Sequence, residues 1–179
     1  MGLSLESMAI EMPAVVGHPN RAGFRGVLTM VDAASDKAPA GARGHRVLLT
    51  RQAAEAAMPS LMGMGLDYSP ALDRHDARRK IGVITRAEIV GRVIEVGGFL
   101  YARDFPEIVA EIGRPGSGAT ADNNVRASRS GLGMSYEITD ARVEDITASV
   151  WVLNRVTFTG AAVLRRDKAA YRSTWIELG

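Results

Sequence analysis

The 179-residue chain contains no cysteine, which removes disulfide frameworks, thiol nucleophiles, iron–sulfur clusters and cysteine-based zinc sites together. That absence fits a reducing compartment. Histidine is scarce: only His18, His45 and His75 are present, with no H-x-x-x-H or H-x-H spacing, so no histidine-based metal site is expected. An excess of charge of one sign is lacking too, with 22 Lys+Arg against 20 Asp+Glu. The isoelectric point near 9.2 reflects how few groups titrate just above neutrality. Broad electrostatic capture of nucleic acid is therefore not expected. No apolar run approaches the roughly 18 residues of a membrane span. Residues 1–12 carry Glu6 and Glu11 but no Lys or Arg, the wrong charge for a secretory or transit signal. These absences predict a soluble, intracellular protein with no cofactor, no membrane partner and no nucleic-acid partner.

What is present is an ordinary globular composition, 46% hydrophobic and 23% charged, sufficient for one domain over residues 1–179 with one core. Residues 26–31 and 46–49 read as short strands. Thr50 is a cap for a helix running to about Met58, where Ala53, Ala54, Ala56 and Ala57 favour helix and Pro59 ends it. Residues 81–101 are β-rich, with Gly91 as a turn or bulge. Asp104 reads as the N-cap of a helix over 105–112 that sets Phe105, Ile108, Val109 and Ile112 on one face. Residues 114–131, rich in Gly, Ser, Asn and Arg, predict a flexible loop. Strands are expected over 134–138 and about 148–159, the latter buried on both sides at Val150, Trp151, Val152 and Leu153, with 161–164 continuing as a further strand or turn and 171–178 docking last. Strands dominate, so the expected fold is mostly β (α+β), a barrel with helices packed outside it.

Two residues are candidates for chemistry. His75 lies in a polar stretch, Asp73-Arg74-His75-Asp76, just before a strand, and an imidazole is the side chain best suited to act as a base near neutral pH. Ser135 opens a strand after Gly131 and Gly133, where a substrate backbone can approach closely. Taken alone, His75 reads as an exposed loop histidine and Ser135 as a structural serine. His18 and His45 read as surface residues. A serine hydrolase needs both groups, because the hydroxyl is inert until a base removes its proton.

Three segments in order strengthen the pair. The first is Met62-Gly63-Met64-Gly65-Leu66-Asp67-Tyr68 running into Asp73-Arg74-His75-Asp76 and Lys80-Ile81-Gly82-Val83-Ile84. The second is Val96-Gly97-Gly98-Phe99-Leu100-Tyr101 followed by Asp104-Phe105-Pro106, and the third is Leu132-Gly133-Met134-Ser135-Tyr136-Glu137. Over residues 60–165 this order resembles the tailed-phage prohead proteases, capsid-maturation serine proteases related to herpesvirus assemblin. The resemblance implies an assemblin-like β-barrel surrounded by short helices, with Ser135 as nucleophile and His75 as base. It implies cleavage of capsid scaffold and coat proteins, with self-processing, in the host cytoplasm inside the assembling prohead. It also implies self-association as an option, since assemblin-like enzymes often dimerise.

In such enzymes the third triad member comes from a strand after the serine, just before a basic pair. The matching stretch here, Val156 to Arg166, holds no histidine and no acid. Thr157 is the first choice to orient His75, with Asn154, Asp145 and Asp76 as alternatives. Arg165 and Arg166 resemble the pair bordering the oxyanion site, although a solvated basic turn is an equal reading. Beside the protease stand two rival expectations: a catalytically impaired or non-enzymatic capsid-assembly or scaffolding protein of the same fold, and a generic β-barrel binding module.

Overall fold

A computed structural model of the chain describes residues 8–13, 15–114 and 130–179. The expected loop at 114–131 lies outside the described residues over 115–129. Elsewhere the chain forms β1 (Met8–Ala9), β2 (Ala22–Met30), β3 (Arg46–Leu49), α1 (Arg51–Ala57) and, after a single 3-10 turn, β4 (Gly65–Asp67). It continues as β5 (Lys80–Val90), β6 (Val93–Leu100), α2 (Pro106–Ile112), β7 (Leu132–Val143), β8 (Val150–Arg165) and β9 (Trp175–Leu178). Among the described residues the fold is mostly β, a single curled sheet of half-barrel form with two short helices.

Strand β8 organises the sheet. Along one edge it pairs antiparallel with β7, and along the other it pairs parallel with β3 and then with β4. From β4 the order continues through β5, β6 and β2 to β9, with β1 added to β5. The inner face holds Leu28, Leu66, Ile84, Ile94, Leu100, Met134, Phe158 and Ile176, all essentially buried. Each such side chain contributes about 1.5–3 kcal/mol relative to exposure.

Local signals explain most boundaries. Thr50 caps α1, its hydroxyl accepting from the Ala53 amide at 3.2 Å. Gly91, with φ of +58°, opens the two-residue turn between β5 and β6, and only that first position has positive φ, as a II′ hairpin demands. At Gly98 a Cβ would run into the Val83 carbonyl, so the Gly97-Gly98 pair lets β5 and β6 bend tightly across each other. Three expectations are corrected. Asp104 does not cap α2: the cap position is Phe105 with no side-chain bond, and the Asp104 carboxylate accepts instead from Asn20 Nδ2 at 2.8 Å. Val150, Trp151 and Val152 are half-buried rather than buried on both faces, and Trp151 borders an open cleft. Finally, 150–165 is one strand rather than two, and β4 is a strand that composition did not announce.

At the far end of the curl, β7 comes against β2 and β9 without a backbone ladder. Side chains close this seam: Thr174 Oγ1 accepts from the Met134 amide at 3.2 Å and donates to the Tyr171 carbonyl at 2.9 Å, while Ser130 Oγ donates to the Ile176 carbonyl. No helix among the described residues is long and apolar enough to cross a membrane.

Candidate active site

Ser135, Ala162 and Asp67 stand side by side on β7, β8 and β4. Their neighbours Met134, Tyr136, Leu66 and Ala161 point into the barrel, so period-two alternation turns this row onto the outer face. Neighbouring strands lie about 4.8 Å apart, which separates the Ser135 and Asp67 backbones by about 10 Å. The His75 ring spans the gap. Its Nε2 lies 3.2 Å from Ser135 Oγ, and its Nδ1 lies 3.6 Å from Asp67 Oδ1. Ala162, fully buried, is the residue between them, and its single methyl leaves room for an imidazole above the sheet.

The segment 68–79 carries His75 back over the row and is tied down at several points. Ser69 Oγ donates to Asp73 Oδ1 at 2.8 Å and accepts from the Asp73 amide. The Leu72 carbonyl accepts from the Arg165 amide of β8 at 2.7 Å. Leu72 itself holds φ at +52°, an uncommon conformation for a branched side chain. Asp67 Oδ1 accepts from the Asp76 amide at 3.0 Å, and Oδ2 accepts from Lys80 Nζ at 3.1 Å. Only 1% of the Asp67 side chain is exposed. Burial pushes its carboxyl up, but the neighbouring His75 ring together with bonds from the Asp76 amide and Lys80 outweighs that, and the group sits below its ordinary value.

A second carboxylate faces the same ring nitrogen. Glu137 Oε1 lies 3.9 Å from His75 Nδ1, and Nδ1 is buried with no group within hydrogen-bond length. Two adjoining clefts, of about 520 and 290 Å³, open on either side and share Ser135, His75 and Glu137 in their walls. The larger is walled by apolar side chains including Val47, Ile138, Val143 and Trp151, the smaller by Lys37, Arg74 and Lys168. No group of three or more His, Cys, Asp or Glu among the described residues could hold a metal ion.

Of the residues singled out in the sequence, Ser135 and His75 come together across 60 positions of chain. Thr157 does not join them. It pairs with Thr139, four residues beyond Ser135 on β7, and its hydroxyl faces Asp140 at 3.5 Å. Four residues of strand are about 13 Å, so Thr157 stands far along β8 and Asp67 takes the place beside Nδ1. Asp145 accepts from Thr147 in an exposed turn, and Asn154 is exposed on β8. Asp76 reaches the site only through its amide, while its carboxylate pairs with Arg79. Arg165 and Arg166 line neither cleft. Their amides donate to the carbonyls of Leu72 and Gly131, so in this arrangement neither amide is aimed at an oxyanion. His45 stacks on Trp151 with ring centroids 4.6 Å apart, and His18 Nδ1 accepts from the Asn20 amide.

Asp67 and Glu137 were not chosen from the sequence, although both stand inside the quoted motifs. A signal for Asp67 was available: an acid between Leu66 and Tyr68 in an apolar run is buried only when paired. No family model matches the chain, and no curated protein matches it.

Proposed function

We propose that the chain is a serine endopeptidase that cleaves scaffold and coat proteins, and itself, during phage capsid maturation inside the assembling prohead. The observation that carries this reading is the placement of Ser135 Oγ 3.2 Å from His75 Nε2 with the buried Asp67 carboxylate behind the ring. The order of the three motifs supports the substrate class. In the reaction Ser135 Oγ attacks the scissile carbonyl carbon as Nε2 takes its proton. Asp67 holds the ring and favours the imidazolium that forms. Collapse of the tetrahedral adduct expels the amine, which receives that proton from Nε2. Water then enters by the same route, and hydrolysis of the acyl ester restores Ser135.

Co-expression with the cognate capsid protein, read by intact mass, tests the reading. Wild type yields defined cleavage products, and Ser135→Ala leaves all chains at full mass, a loss of at least about 10⁴-fold in rate. Identical spectra for the two would refute the peptidase. One observation favours a second reading, an assembly component with an impaired site: the engaged amides of Arg165 and Arg166 offer no oxyanion donor. Under that reading both forms assemble proheads equally and neither cleaves.

A further inference from the structure

We infer that Glu137 is a positioning residue for His75 and that Gly160 exists to admit it. The inference rests on the reading of Ser135 as nucleophile. Glu137 follows Ser135 by two positions on β7 and therefore shares its outward face. Its partner across the ladder is Gly160 of β8. A Cβ at position 160 would lie 2.7 Å from Glu137 Oε2 and 3.3 Å from Glu137 Cβ. With hydrogen there instead, the glutamate side chain lies down across β8, and Oε1 comes within 3.9 Å of His75 Nδ1.

The chemistry gives that carboxylate work to do. Asp67 already accepts from Lys80 and from the Asp76 amide, so part of its charge is balanced before the ring is protonated. Nδ1 is enclosed and lacks a full hydrogen bond, and an imidazolium formed there draws on both carboxylates. A solvated strand glutamate would instead extend away from the sheet and leave position 160 open to any residue. Half of the Glu137 side chain is exposed (53%), so its attraction is screened, and an effect of about threefold to fivefold is the scale to expect.

The test uses the whole chain and a fluorophosphonate, which needs no knowledge of the natural substrate. Ser135 Oγ forms a bond to phosphorus, the P–F bond breaks, fluoride leaves, and the hydroxyl proton passes to Nε2. Wild type is labelled and Ser135→Ala is not. Glu137→Gln lowers the maximal labelling rate about threefold to fivefold with unchanged half-saturating concentration and unchanged melting temperature. Gly160→Ala lowers it comparably, and the double variant is no slower than the slower single one. An unlabelled wild type overturns the serine-nucleophile reading itself. Wild type and Glu137→Gln labelled at equal maximal rates overturn this inference alone, as does a change confined to half-saturation, which would make Glu137 a contact for the reagent. Additive losses in the double variant overturn the role of Gly160.

Discussion

In the proposed reaction the buried Asp67 carboxylate serves both stability and chemistry. It is the acid that faces Nδ1 from within the sheet, and it is held ionised by Lys80 and the Asp76 amide. Asp67→Asn keeps the shape but replaces an acceptor with a donor, which frees the ring to take the unproductive tautomer. Loss of about 10³–10⁴-fold in Ser135-dependent turnover is expected, read as the cleavage rate of the capsid substrate. The same residue predicts an acid effect. Its folded-state value lies below the unfolded one, so the folded form binds fewer protons, and stability from this group is present above the ordinary carboxylate range. It is lost as pH falls through the lowered value. Urea denaturation should therefore show a gap between wild type and Asp67→Asn that is wide at neutral pH and narrows in acid. A gap independent of pH would contradict the assignment. Ser135 and His75 were legible as candidates because three separated segments holding them stand in a recognisable order, whereas Asp67 was not, because its role depends on which strand β8 meets on its other edge.

Among the elements, the row Ser135, Ala162, Asp67 sets the dimensions of the site. Three strands place the Ser135 and Asp67 backbones about 10 Å apart, a span that one imidazole fills, and Ala162 is the floor beneath it. Ala162→Leu overfills that floor at a cost of about 1–3 kcal/mol. The protein should remain folded by circular dichroism while fluorophosphonate labelling of Ser135 is lost; full labelling would mean that the ring does not lie over position 162. The misplacement of Thr157 has its reason at this scale. Alternation along a strand tells which face a residue occupies, and Thr157 and its partner Thr139 do leave the barrel on the side of Ser135. Alternation does not tell the level. Register sets the level, and the irregular pairing between Glu137 and Ile138 shifts it. Strand β4 escaped notice because three residues are too few for a period to be visible.

The whole molecule positions the serine through its seam. β7 is anchored to β8 by a ladder, whereas its start is tied toward β9 by the side chains of Thr174 and Ser130. Thr174→Val leaves the Met134 amide without its acceptor, one residue from the nucleophile. The expected loss is about 1–3 kcal/mol, with faster hydrogen exchange at the Met134 amide than at the ladder amides of β8. Equal protection of both would show that the seam is held by other contacts. The pairing of β4 and β7 with opposite edges of β8 brings 75 and 135 together, residues that no local pattern connects, while the seam holds β7 from its other side.

From the sequence alone came the class of fold, the α1 cap, the Gly91 turn and the choice of Ser135 and His75 as the candidate pair. The first three rest on short-range physics: period-two burial, a hydroxyl accepting from an amide three residues on and a glycine at positive φ; the candidate pair rests on the order of three separated segments. The third member of the constellation, the second carboxylate and the fate of the basic pair were decided by tertiary structure. They depend on parallel pairing of β4 with β8 and on the register of β7, which are set by the fit of distant buried faces rather than by any neighbour in the chain.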